Sequence, residues 1–519
     1  MKFKALNPIT FTFIPALAIL PVAIQFFKGM HSGGVQTLYE FLISSLTPSL
    51  NTLVVQSAWE GIQITIAIAL LSWIISILIG IFLGIISSDI LWLTIGKHIW
   101  IGKTIRRILA IPRALHEGVW GLLLLQVLGL SPWVAIIALI IPYSSLTSRV
   151  IANQLDTVDR KNVIALRQTG ASAISSLATS MSPVLLPLVI SYGGYRLECA
   201  IRGATILGIF GLGGIGTELQ LSLRSLQFHE MWTSIWMLAI VMLILEKSLD
   251  WGRRSIFAIE AYTSIFFYIP FLVSVIIAIS FAWLHYLDIN LFESFKFHSI
   301  YWPSLQDIFS AFTGLPLVKL VISTCLLTLL SGGIAIGVPP LLLLITNNAI
   351  AKEILSLFWL FLRLIPPPLT ALIFILVTTP SISVAALALG FHSMGVMGRM
   401  LKENLDMRSD YLYDAINSTG ASNNISWLYG KLSLESKKYL TFASYRIDVV
   451  LRETAVIGVV GGIGLGWQLQ ESLSSFYWAE VVAICTLFII LTIIGESISE
   501  KARRYWQNNT SDLSLKPSL

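Results

Sequence analysis

Residues able to do chemistry are few in this chain. Those that stand out lie in two apolar stretches. The first reads Tyr195-Arg196-Leu197-Glu198-Cys199-Ala200-Ile201-Arg202, and the second Tyr445-Arg446-Ile447-Asp448-Val449-Val450-Leu451-Arg452. On a helix, an acid four residues before an arginine lies one turn away on the same face, in the more favourable of the two orders. Glu198–Arg202 and Asp448–Arg452 meet that condition. They are expected to neutralise each other as intramembrane ion pairs, because buried charge persists when it is paired. Arg196 and Arg446 have no acid four residues earlier. An arginine at the centre of an apolar span costs about 2.5–3.5 kcal/mol on insertion scales. One reading is that these two face a translocation pathway and attract an anionic solute. The competing reading is that they only hold a helix bundle together.

Other chemistries lack their residues. His98, His116, His229, His285, His298 and His392 form no H-x-x-x-H or H-E-x-x-H group, and His31 stands alone. No metal site is expected. Cys199, Cys325 and Cys485 are odd in number and lie in apolar segments, which argues against a disulfide framework and a thiolate cluster. No Ser-His-acid grouping can be argued. Gly211-Leu212-Gly213-Gly214-Ile215-Gly216 fits G-x-G-x-x-G, but a membrane helix precedes it where a dinucleotide site needs a strand. Gly102-Lys103-Thr104 ends like a P-loop, but Lys97 stands where the first glycine belongs. The chain is therefore expected to be no enzyme, to need no cofactor, and to draw its energy from a separate subunit.

Composition sets the elements that must position these charges. Of 519 residues, 55% are hydrophobic and 12% charged, against roughly 25% charged in an average soluble protein. Mean hydropathy is +0.80. A cytosolic enzyme, a disordered chain and a coiled coil are excluded, leaving an all-α polytopic membrane protein. With about 20 apolar residues needed per span, candidates are 9–27, 62–87, 114–130, 132–148, 184–210, 231–249, 264–286, 317–346, 354–379, 382–398, 438–465 and 477–495. Glycine and proline interrupt several, so ten to twelve spans are expected. The run near Phe11 to Phe27 reads as an uncleaved first span. Trp59, Trp302, Trp478 and Trp506 flank spans as interfacial anchors.

The net charge of +6 is spread over loops rather than over one basic face, so a nucleic-acid partner is not indicated. One set of alternate loops receives Lys2, Lys4, Lys97, Lys103, Arg106, Arg107, Arg160, Lys161, Arg167, Arg253, Arg254, Lys352, Lys402, Arg408, Lys431, Lys437, Lys438, Lys501, Arg503 and Arg504. The other receives little beyond Lys28, Arg224 and Lys296. This asymmetry places both termini and the loops 149–183 and 399–437 in the cytoplasm.

Sliding the chain against itself by 250 residues reveals an internal repeat. Arg113 meets Arg363, Leu155-Asp156 meets Leu405-Asp406, and Thr169-Gly170-Ala171-Ser172 meets Thr419-Gly420-Ala421-Ser422. Tyr195-Arg196 meets Tyr445-Arg446, and Gly208, Gly211, Gly214 and Gly216 meet Gly458, Gly461, Gly464 and Gly466. Shared apolar composition does not align arginine, aspartate and glycine in one register. The chain thus reads as two homologous parallel halves, 1–255 and 256–519, of about six spans each. Parallel repeats of this kind usually surround a pathway along the membrane normal.

Each half carries one long cytoplasmic loop, Val163 to Pro183 in the first and Tyr413 to Leu432 in the second, suited to a short helix, a glycine turn and a second short helix. These loops resemble the EAA loop of permease subunits of binding-protein-dependent ABC importers: Glu-Ala-Ala, three residues, Gly, nine residues, then Ile-x-Leu-Pro. Ala165, Gly170 and Pro183 match in the first copy, and Asp414, Ala415, Gly420 and Leu432 in the second. Ile164 replaces the acid of the first copy and Ser433 the proline of the second. The Tyr-Arg-x-acid stretches and the glycines after them are similar to the phosphonate-type subfamily, over about 150 residues of each half.

The resemblance implies an ABC importer permease fold in a bacterial inner membrane. It implies that the two loops are coupling elements for two copies of a cytoplasmic ATPase, and that an external solute-binding protein delivers a small anionic solute. Phosphonates, or related oxyanions such as phosphate and phosphite, are the expected cargo. An amino acid or quaternary amine on the same machine is the alternative. A secondary transporter is a further one, though it would have no reason for two coupling loops.

Overall fold

The computed structural model describes residues 8–96, 98–157, 160–257, 262–287, 289, 302–346, 349–407 and 410–508. Lys2, Lys4, Lys97, Lys296, His298 and Arg408, used in the arguments above, lie outside the described residues. Every named regular element is helical. The chain opens with α1 (Pro8–Ala16), α2 (Ile19–Lys28) and α3 (Gly34–Ser44). Then come α4 (Thr52–Ser87), α5 (Asp89–Ile95), α6 (Ile99–Ile108), α7 (Ala110–Ala114), α8 (Glu117–Leu128), α9 (Pro132–Leu155), α10 (Arg160–Gln168), α11 (Ala173–Leu207), α12 (Ile215–Arg224), α13 (Phe228–Phe257) and α14 (Tyr262–Tyr286). The second series is α15 (Leu305–Gly314), α16 (Leu317–Ile345), α17 (Ala349–Leu364), α18 (Pro367–Ile375), α19 (Ile382–Asp406), α20 (Tyr411–Asn417), α21 (Asn423–Trp427), α22 (Ser433–Gly461), α23 (Gly464–Ser474) and α24 (Trp478–Asn508).

Among the described residues, seven helices are long and apolar enough to cross a membrane, and three bent pairs raise the number to ten. α14 and α22 occupy the two remaining positions of the twelve expected. α22 does not count as an apolar span because it carries Lys437, Lys438, Arg446, Asp448, Arg452 and Glu453.

Two of the bends fall at matching places in the repeat and arise differently. The helices before and after Leu115-His116 meet at 81°. There the His116 ring accepts the Gly118 N–H at 3.2 Å and caps α8. The helices on either side of Pro366 meet at 92°. Proline lacks a backbone donor and disfavours helix in the residue before it, so the Pro366-Pro367-Pro368 run ends α17. α18 restarts on Pro367, where a missing N–H costs nothing.

The chain divides into two compact units, Ile43–Tyr301 and Met1–Leu42 with Trp302–Leu519. In the first, α4 and α9 form the spine. Gly80 and Gly84 of α4 meet Thr147 and Ile151 of α9 directly, a small-xxx-small contact that lets helix backbones approach. α14 also lies on α4, with Trp283 Nε1 donating to Gln63 Oε1 at 3.2 Å. In the second unit, α16 and α19 form the corresponding spine, and α1 crosses α16 where Gly333 and Gly337 leave no room for a Cβ against Pro15, Ala16 and Ala18.

The units therefore differ from the sequence repeats. Residues 8–42 pack with the later half of the chain, and α14 packs with the earlier half. The cause is where each leading helix finds a close-fitting groove.

One clasp recurs in both units. Thr65 Oγ1 donates to Gly61 O at 2.9 Å and accepts the Ile215 N–H at 2.9 Å. Thr324 Oγ1 donates to Leu320 O at 2.9 Å and accepts the Leu465 N–H at 3.0 Å. Each threonine thereby satisfies a first-turn amide that its own helix cannot bond. Thr65→Val or Thr324→Val should strand that buried amide and cost about 1–3 kcal/mol. The expected result is a lower unfolding temperature in detergent, with Thr→Ser at either position close to wild type. An unchanged temperature in both valine variants would remove the clasp from the account of stability.

Candidate functional site

α11 carries the charged residues of the first unit. Trp73 Nε1 of α4 donates to Gly193 O at 2.8 Å and fixes α11 just before Arg196. Arg196 is only 5% exposed. Its guanidinium lies 4.0 Å from the centroid of the Tyr143 ring and 5.8 Å from that of Tyr192, a cation–π arrangement. Its Nε and Nη2 have no hydrogen-bond partner. The Tyr143 hydroxyl lies 3.1 Å from Glu117 Oε1 and 3.0 Å from Cys199 O. Glu117 Oε2 is 3.5 Å from His116 Nε2 at the α7–α8 bend. Arg202 and Glu198 close the expected i,i+4 pair at 2.5 Å.

In the second unit, α22 presents the matching residues differently. Arg446 is 7% exposed. Its Nε and Nη2 donate to Ser393 Oγ at 3.2 and 3.0 Å, and Nη2 also reaches Glu453 Oε1 and Oε2 at 3.1 and 3.3 Å. Spacing examined only one turn before Arg446 and so missed this acid, which lies two turns after it. Arg452 and Asp448 pair at 2.8 Å. Sequence reasoning also missed Tyr143, Glu117 and Ser393. The signal lay in the repeat register, which sets Tyr143 opposite Ser393 and Gly203 opposite Glu453.

The two loops form the expected helix, glycine turn and helix. α10 ends in a turn at Gly170, φ +90°, with its N–H on Arg167 O and the Ala171 N–H on Leu166 O. α20 ends likewise at Gly420, φ +83°, with its N–H on Asn417 O. Ala165, Gly170, Asp414, Ala415 and Gly420 are all exposed. The second helix of the first loop is not short. α11 starts behind the Ser172 cap and runs 35 residues without a break, through the position of Pro183, whose side chain lies outside the described residues. The second loop does restart briefly, as α21, and a π-turn at Leu428–Leu432 joins it to α22.

The loops are braced by different forces. Val163 packs with Ile90, Ile151, Leu155, Leu177 and Met181. At the positions matching Val163 and Met181, Tyr413 and Lys431 interact instead. Lys431 Nζ lies 4.9 Å over the Tyr413 ring and 2.6 Å from Asp410 Oδ1.

Glu198→Gln or Asp448→Asn should leave a buried arginine without its counter-charge, at a cost of about 3–5 kcal/mol. Membrane accumulation should fall, and the double variants Glu198→Gln/Arg202→Gln and Asp448→Asn/Arg452→Gln should recover most of it. Wild-type accumulation of the single variants would show that the pairs do not hold the bundle.

The signature of the family described as "Binding-protein-dependent transport system inner membrane component" matches residues 76–257. Over 94 residues the chain is 33% identical to the putative cryptic phosphonate transport system permease protein PhnE2 of Escherichia coli (strain K12), covering 18% of this chain and 77% of that protein. It is 27% identical over 238 residues to the putative phosphite transport system permease protein HtxC of Stutzerimonas stutzeri, covering 45% of this chain and 80% of HtxC. It is 23% identical over 415 residues to the phosphate-import permease protein PhnE of Mycolicibacterium smegmatis, covering 76% of each. This chain is thus about twice the length of a single permease such as HtxC, and comparable in length to the mycobacterial protein. No solved structure matches. The chain is a multi-pass membrane channel subunit and belongs to the family of inner membrane components of binding-protein-dependent transport systems, in the branch whose named members are phosphonate and phosphite permeases.

Proposed function

We propose that the chain supplies both halves of the permease of an ATP-driven importer for phosphonates or related oxyanions such as phosphite and phosphate. The observation that carries this reading is the paired coupling element. Two exposed helix–glycine–helix turns recur in one chain, at Gly170 and Gly420, and each leads into the helix that bears the buried arginines. Both loops and both termini face the cytoplasm. One ATPase copy docks at residues 149–183 and the other at 399–437, with Ala165, Gly170 and Pro183 shaping the first dock and Asp414, Ala415 and Gly420 the second. A binding protein on the outer side delivers the anion. Closure of the ATPase pair moves the docks, and α11 transmits that motion as one rigid rod to Arg196, Glu198 and Arg202. The ion pairs Glu198–Arg202 and Asp448–Arg452 keep the rods in register within their own units.

Gly170→Val and Gly420→Val place a β-branched residue at positive φ, a strain of about 1–3 kcal/mol confined to an exposed turn. Both variants should insert normally and lose ATPase association in detergent. Normal association and normal uptake in both would refute the docking assignment. A complex purified from cells producing the permease with its ATPase should have the mass of one permease chain and two ATPase chains. Two permease chains per complex would overturn the single-chain reading.

A further inference from the structure

We propose that the Nε–Nη2 edge of Arg196 is an oxyanion contact, and that Arg446 is not its equal because Glu453 already occupies that edge in the second unit. The proposal rests on the oxyanion-importer reading and names the atoms that serve it.

Nε–H and one Nη2–H of a guanidinium point the same way and form a fork matched to two oxygens on one centre. In Arg446 this edge is filled. Ser393 Oγ accepts from both nitrogens, and the Glu453 carboxylate sits on Nη2. In Arg196 both nitrogens are buried and without a partner. The register explains the difference. Where the second unit has Ser393 and Glu453, the first has Tyr143 and Gly203. The Arg196 guanidinium carbon lies over the Tyr143 ring, 4.0 Å from its centroid, and the ring offers it no oxygen acceptor as Ser393 does. A Cβ at Gly203 would come within 2.7 Å of Leu139 Cδ2, 2.8 Å of the Tyr143 hydroxyl and 3.2 Å of Glu117 Oε1, so with these neighbours the position is crowded and carries no side chain. Glu117 bonds to Tyr143 and His116 and makes no ion pair with Arg196.

Leaving buried charged donors unbonded is costly, and a structural role would favour closing them as the second unit does. Arg196 instead keeps its face stacked and its fork open. A phosphonate, phosphite or phosphate carries two oxygens on one centre, and can fill the edge that Ser393 Oγ and the Glu453 carboxylate fill together in Arg446. In this reading Glu453 is a built-in carboxylate that closes one of two ancestral sites, and the cargo meets one arginine.

The test uses the permease with its ATPase and binding protein in proteoliposomes, measuring ATP-dependent uptake of phosphate, phosphite and methylphosphonate separately. Arg196→Gln should lower uptake per inserted protein by on the order of 10-fold or more. Arg196→Lys, which keeps charge but loses the fork, should fall between Gln and wild type. Tyr143→Ser/Gly203→Glu transplants the second unit's arrangement. Per accumulated protein it should transport as poorly as Arg196→Gln, although Arg196 is intact. Wild-type rates in Arg196→Gln, or in an accumulated Tyr143→Ser/Gly203→Glu protein, would overturn the proposal. So would equal rates for Lys and Gln, or failure of both the Gln and the double variant to reach the membrane, since either marks a structural arginine. A wild-type complex that moves none of the three anions is a different result. It rejects the oxyanion reading itself and takes this proposal with it.

Discussion

A guanidinium inside an apolar helix bundle has three ways to persist: beside an acid, against an aromatic face, or open to a ligand. The first two appear here within two short helical stretches, and one guanidinium edge is left unbonded. Arg202 and Arg452 take an acid one turn away. Arg446 takes a serine from α19 and an acid two turns along its own helix. Arg196 takes the Tyr143 ring and leaves its fork without a partner. The surrounding choices follow from this constraint. Gly203 is bare because Tyr143 and Glu117 fill its side, and Ser393 is small because Arg446 must reach past it to bond in plane.

Charge is useful to a transporter only if something moves it. α11 joins the exposed Gly170 turn to the buried Arg196 without a break, so a push at the turn arrives as displacement of the whole helix. The second half has the same order of parts but a π-turn between turn and helix. π-turns inside helices mark places where the hydrogen-bond ladder is rearranged, often at functional sites. The braces differ in the same sense. An apolar cluster around Val163 is insensitive to salt, whereas the Asp410–Lys431–Tyr413 contact is electrostatic and partly exposed. Two loops of common origin are thus braced by different forces.

Packing also exchanges the leading helices. α1 seats its Pro15–Ala18 backbone on the glycine face of α16, and α14 lies along α4. Each compact unit is built from one repeat's core and the other's leading segment. The backbone passes from one unit to the other near residues 42 and 301, and neither crossing falls at the repeat boundary near residue 255.

Sequence alone determined the class of molecule, the spans and the repeat, because each rests on local or periodic information. Apolar length gives a span whatever packs against it. Arginine, aspartate and glycine kept at one register survive any packing. The i,i+4 pairs were legible for the same reason, since helix geometry alone brings Glu198 to Arg202 and Asp448 to Arg452. The turns at Gly170 and Gly420 were legible because few residues other than glycine tolerate their φ. Tertiary structure decided what local spacing cannot hold. It alone set which helix faces Arg196, that Glu453 meets Arg446, and that the leading helices cross to the other core. Each of these depends on side chains from separate helices meeting in space. The register of the repeat contained the clue, Tyr143 for Ser393 and Gly203 for Glu453, but only the packed helices showed that these two exchanges occur around one guanidinium edge.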